Sequence, residues 1–148
     1  MPALRIPFQT QLRAAAVELL TDYAADRDLK LQVYPARPRS IFPPAAFIDR
    51  MNERMDFLGP VQYRRNPTVE VMVIHGLFDH KDAVDQRDAF VDGFLDWCAD
   101  RFHAAGENTL MGAVSIEDDP SFVPDWQPPD VQKTYFATRI SLEGLALD

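Results

Sequence analysis

The sequence predicts an α+β fold: two helices packed on a largely antiparallel sheet, in a single domain with long proline-rich loops. Three observations predict it. Residues 8–26 and 82–105 carry apolar side chains at the three-and-four spacing of a helical face. The runs 29–34, 68–78, 110–117 and 133–147 have the alternation and the β-branched and aromatic content of strands. The order helix, strands, helix, strands places helices on one side of a sheet and does not repeat βαβ units.

The elements follow in chain order. In the first helix Leu12, Ala15, Ala16, Leu19 and Tyr23 share a face, and Pro7 stands just before it, where proline is tolerated. LKLQVY, 29–34, is a short strand. The segment 35–44 then carries four prolines, which remove backbone donors and fix φ, so an extended and unpaired arm is expected there. AAFID, 45–49, can resume a strand; MNERMDFLGP, 51–60, is ambiguous and ends in a Gly59–Pro60 turn. TVEVMVIHGLF, 68–78, turns apolar on both faces and predicts a central strand. Phe90, Val91, Phe94, Leu95, Cys98 and Phe102 form the stripe of the second helix, which Gly106 closes. Residues 117–132 hold four more prolines around Phe122 and Trp126 and predict a long loop. In the last strand Phe136, Thr138, Ile140 and Leu142 share one face, Tyr135, Ala137, Arg139 and Ser141 the other.

Composition narrows the function. A chain of 148 residues suits one domain with one core. A net charge of −8 is wrong for gripping nucleic acid, which needs a basic surface, though DNA can pass nearby without being held. The single cysteine, Cys98, excludes an internal disulfide and reads as a small buried hydrophobe. No apolar run is long enough to span a membrane, and the N-terminus lacks a signal-peptide core, so a cytoplasmic site of synthesis is expected.

Catalytic and metal signatures are missing. HGLFDH at 75–80 brings His75, Asp79, His80 and Asp82 close in sequence, but the spacing matches no helical metal motif. No phosphate-binding glycine loop occurs, and Ser40, Ser115, Ser121 and Ser141 lack a His–acid context. Neither enzymatic activity nor a cofactor is expected.

Interaction features are richer. Asp82, Asp85, Asp88, Asp92, Asp96 and Asp100 recur every three or four residues and form an acidic stripe opposite the apolar one. It is either a solvated outer face or a surface that repels an anion. Arg87, Phe90, Trp97 and Arg101 gather at one edge of the apolar stripe, where Arg101 can stack on Trp97. That edge is either the rim of the core or a surface buried on assembly. Arg37, Arg39, Ile41 and Phe42 give the arm two charges and two anchors, and a stiff arm loses little entropy on docking. Phe122 and Trp126 either pack back on their own domain or dock on a neighbour. The loop acids Asp118, Asp119, Asp125 and Asp130 are candidate partners for a neighbour's Arg37 and Arg39. Head-to-tail contacts of this kind build symmetric rings.

The succession of an N-terminal helix, a strand ending in VYPARP, the segment PPAAFID, a long helix beginning DQRDAFVDGFLDWC and a final YFATRISLEG strand resembles the tail terminator, or tail completion, proteins of long-tailed non-contractile bacteriophages and related phage-like particles. The resemblance covers most of the chain and treats 1–148 as one tail-terminator-like domain. It implies a structural virion protein: a homo-oligomer, a hexameric ring, that caps the tail tube, ends tube polymerisation and provides the head-tail joining surface. Its implied partners are the tail tube protein and the head-tail connector proteins. DNA passes through without specific binding, no membrane or cofactor is involved, and the location is the neck end of the tail after assembly in the host cytoplasm. The acidic stripe faces either the DNA channel or the outside. A head-tail connector or stopper subunit of the same neck is the near alternative. A small cytoplasmic ligand-binding or enzymatic α+β domain, with a convergent polar pocket, or an adaptor in a cellular complex, are alternatives of different classes.

Overall fold

The computed structural model describes residues 8–57, 59–60, 63–106 and 109–144. The elements are α1 (Phe8–Asp26), β1 (Gln32–Tyr34), β2 (Ala45–Phe57), β3 (Tyr63–Leu77), α2 (Lys81–Val91), α3 (Phe94–Ala105), β4 (Met111–Phe122) and β5 (Tyr135–Gly144). The sheet runs β1-β2-β3-β5-β4, and β1–β2 is its single parallel pair among the described residues. This is the α+β class with a largely antiparallel sheet that the sequence predicts.

α1 has the predicted bounds. It buries Leu12, Ala16, Leu19, Leu20, Tyr23 and Ala24. It ends where Asp28 takes a left-handed φ of 53° and Leu29 N–H reaches back to Ala24 O at 2.8 Å. The helix face of the sheet supplies Ala46, Ile48, Val69, Val71, Val73, Ile140 and Leu142, and α2 and α3 add Phe90, Phe94 and Cys98 to the same core. Each large apolar side chain buried here contributes roughly 1.5–3 kcal/mol.

The second helix is not continuous. It breaks at Gly93, whose φ is +75°, into α2 and α3. The break leaves carbonyls at the end of α2 without helical partners, and α1 supplies donors. Tyr23 Oη donates to Phe90 O, and Arg27 Nη2 donates to Asp92 O at 2.6 Å. A side chain at position 93 would suffer the positive φ, although its Cβ would meet the Arg27 guanidinium only at ordinary contact distance. The break also explains Leu95, expected in the apolar stripe but 49% exposed. With α3 starting afresh at Phe94, its buried face is set by Phe94 and Cys98, and Leu95 lies ~100° away from Phe94.

β4 extends through the expected loop as far as Phe122, so only 123–134 remains irregular there. Pro120 is tolerated because β4 is the outermost strand and Pro120 lies in a register shift between Asp119 and Phe122. The ambiguous 51–57 segment is strand, paired residue by residue with β3 from Asn52↔Thr68 to Phe57↔Tyr63. Because β5 reaches only Thr68 and β1 only Phe47, residues 53–57 and 63–67 form a two-stranded ribbon with no third strand among the described residues.

Candidate functional site

The far face of the sheet, away from the helices, is apolar at one end. There Phe47, Met72, Ile74, Tyr135 and Ala137 meet Ile41 from the arm, with Tyr34, Leu77, Phe122 and Trp126 packed around them. The arm and the 123–134 loop bind each other within one chain. Trp126 Nε1 donates to Pro38 O at 3.1 Å, and Gln127 Nε2 donates to Arg39 O at 3.2 Å. The Trp126 ring meets Phe47 edge-on with centroids 5.4 Å apart, and the Arg37 guanidinium lies 4.9 Å from its centroid. A proline-rich backbone offers acceptors and few donors, so side-chain donors from a facing loop are its natural partners.

Arg37 also has a partner within its own chain. Arg37 bridges its own Asp49 at 2.9 Å, not a loop acid, and Asp49 is largely buried. Asp118 is engaged by Arg87. Ile41 is buried, whereas Phe42 points outward at 68% exposure. Trp126→Ala is expected to cost roughly 2 kcal/mol, about half the loss at a fully buried tryptophan. The arm should loosen more than the core does. Limited trypsin digestion checks this: cleavage after Arg39 should accelerate in the variant, and an unchanged rate would mean the arm is held by other contacts.

Exposed apolar side chains gather at this same end. Phe78 follows β3 and donates its N–H to Thr134 O at 3.2 Å, Val123 follows β4, and Val131 lies in the loop. With Phe42 these four are 43–68% exposed. Sequence reading singled out Phe42 alone, since the other three come together only through the strand order.

The acidic stripe is divided by the Gly93 break. Asp82, Asp85 and Asp88 lie on α2, Asp92 at the break, and Asp96 and Asp100 on α3; all six are exposed. The arginine edge is used within the chain. Arg101 lies 5.4 Å from the Trp97 centroid, as the spacing predicts, and donates to Asp22 at 2.6 Å. Trp97 Nε1 donates to Asp26 at 3.0 Å. Phe90, expected at that edge, is in the core at 2% exposure because its carbonyl and ring are both held by Tyr23.

The structure adds a buried polar chain that sequence reading missed. His75 lies inside β3, between Phe90 and Phe136. Thr138 Oγ1 donates to Asp118 at 3.1 Å, so it accepts at 2.7 Å from His75 Nε2–H, which places a proton on Nε2. Arg87 closes the chain on Asp118 at 2.9 Å. Burial pushes His75 down to about 4, an effect that Arg87 adds to and Asp118 opposes. A histidine in the middle of an otherwise apolar strand was the available signal. Among the described residues no three His, Cys, Asp or Glu side chains converge as metal ligands. Cys98 is buried, and burial pushes its thiol up to about 12, leaving it unreactive near neutral pH.

Two grooves complete the surface. One, about 490 Å³, runs along the outer side of α1 past Arg13, Ala14, Val17 and Thr21 to Pro35. The other, about 260 Å³, lies between α1 and the end of α3, near Arg101 and Met111. No helix among the described residues is long and apolar enough to cross a membrane. The chain matches no protein-family model and no curated protein.

Proposed function

We propose that the chain is a structural ring subunit of the tail-terminator type, which caps a tail tube and presents a joining surface to the head connector. The observation that carries this reading is the apolar end made by Phe42, Phe78, Val123 and Val131. Exposed apolar side chains gathered on a braced arm and loop suit a flat protein partner better than a small molecule. The bracing matters because ordering the loops in advance lowers the entropy lost on docking. A net charge of −8 and six exposed aspartates suit a channel through which DNA slides without being held. In this reading the chain performs no catalysis and takes no cofactor.

The test uses purified tail-tube protein from the particle that encodes this chain. Tubes polymerised in its presence are expected to be shorter and blunt-capped in negative-stain images. A Phe42→Ser/Phe78→Ser variant, its fold checked by circular dichroism, should lose at least tenfold in capping potency. Tubes that grow to the same length with or without the wild-type chain would overturn the reading.

A further inference from the structure

The sheet has two open edges on opposite sides, and they differ in the charge each places on the face away from the helices. On one side β2 is covered by β1 only at Ala45–Phe47, so its outer edge from Ile48 to Phe57 has no strand beside it among the described residues. On the other side β4 is bonded to β5, and its far edge has no strand beside it among the described residues. The open stretch of β2 holds Arg50 and Arg54 beside Asp49, Glu53 and Asp56; Asp49 is bridged by Arg37, and Arg50 lies 3.4 Å from Glu70. Between Met111 and Phe122, β4 holds Glu117, Asp118 and Asp119 and no basic residue.

The strand register adds a second match. Arg50 pairs with Glu70 and Arg54 with Asn66, which places both arginines on the face shared with Met72, away from the helices. Glu117 pairs with Arg139 and Asp119 with Ala137, which places these acids on that same face. A sheet continued from one copy to the next keeps its helices on one side. In register, Glu117 is level with Phe47 and Asp119 with Ala45, where β1 covers β2, so a stagger of about four residues is needed, and it sets Asp119 opposite Arg50 and Glu117 diagonal to Arg54.

We propose that the β2 edge and ribbon of one copy add to the β4 edge of a second copy, so that the sheet runs on head to tail between subunits. This rests on the ring reading for its closure, and it specifies the subunit contact within that ring. Backbone edges supply the affinity in such strand additions. The side-chain charges supply the choice of partner: two β4 edges repel, two ribbons repel, and only the unlike pair is favoured. β4 runs without a register shift from Ala113 to Asp119, and its seven residues give about 23 Å of edge. Like edges cannot meet, so the contact is heterologous and generates rings rather than a two-fold dimer.

Charge exchange tests the contact. The variants are Arg50→Glu/Arg54→Glu and Glu117→Arg/Asp119→Arg, with the milder pair Arg54→Glu and Glu117→Arg as folding safeguards. Absolute mass is measured by light scattering after size exclusion, with tail-tube protein absent and present. Each double variant alone is expected to assemble at least tenfold more weakly than the wild type. An equimolar mixture of the two, and a single chain carrying all four changes, should recover assembly, because each again pairs an acidic edge with a basic one. Recovery also shows that the variants fold. If the wild type assembles but the variants do too, or if the mixture fails to recover, the edge contact is wrong while the ring reading stands. If instead Asp96→Lys/Asp100→Lys abolishes assembly and the edge variants do not, the contact lies on the helices. A wild type that stays a single chain under every condition overturns both.

Discussion

Replacing Tyr23 with alanine is expected to lower the unfolding free energy by about 3–5 kcal/mol, the range for removing a large aromatic side chain from a packed core. Tyr23 has no exposed surface and meets Phe90, Phe94 and Trp97 edge-on, with ring centroids 4.8–5.2 Å apart. Its hydroxyl also satisfies the carbonyl at the end of α2. Burial raises its phenol above the ordinary value, so it remains a donor across the working pH range. Tyr23→Phe separates the two contributions: it keeps the ring and leaves Phe90 O short of its donor, for about 1–3 kcal/mol. Urea unfolding of both variants checks the pair. A Tyr23→Phe variant as stable as the wild type would show that the hydroxyl is not what holds the α2–α3 break. On a typical total of 5–15 kcal/mol, the alanine variant should be near its folding threshold.

Acidification should destabilise the chain through His75 by roughly 3 kcal/mol, from about 1.4 kcal/mol for each tenfold difference in proton affinity. In the unfolded chain the imidazole takes a proton near pH 6.5; in the fold it resists until about 4. The unfolded state therefore binds more protons between those values. Stability is fully present above about 6.5, falls as the pH drops towards 4, and has lost this contribution below it. The added proton goes to Nδ1, because Nε2 already donates to Thr138, so the cost is that of a buried charge and not of a lost hydrogen bond. The measurement is the urea midpoint at pH 7.5 and pH 4.5, for the wild type and for His75→Gln. The variant should start less stable and lose less on acidification. An equal loss in both would assign the pH dependence to other groups.

What the sequence made legible was local. The bounds of α1 match because its apolar stripe repeats over five turns, and periodicity needs no knowledge of the rest of the fold. The central position of β3 was readable from valines and an isoleucine on both faces. The Gly93 break was not, since the apolar spacing runs straight through it; only the donors from Tyr23 and Arg27, about seventy residues earlier, make the interruption tolerable. The strand from Met51 to Phe57 was equally hidden. Its charged sequence has little intrinsic preference, and the pairing with β3 decides it. The arm and the aromatic loop were each recognised, and packing of the loop's aromatics on their own domain was one of two readings, but the two segments were not read as partners within one chain. Their partnership joins Pro38 to Trp126 and Arg39 to Gln127, and no local pattern encodes a contact between segments so far apart.

The order β1-β2-β3-β5-β4 has a consequence for how the chain is made. β5 follows β4 in sequence yet lies between β3 and β4, and it is the strand β4 pairs with among the described residues. A ribosome that has synthesised everything up to Phe122 has therefore produced a strand with no partner and a central strand with one side open. The sheet forms cooperatively only once residues 135–144 emerge, and the long-range pairing of Thr68 with Glu143 is slow to find. Until then β4 has no neighbour and β3 is open on one side, so under the edge contact proposed above a nascent subunit has no finished β4 edge to offer.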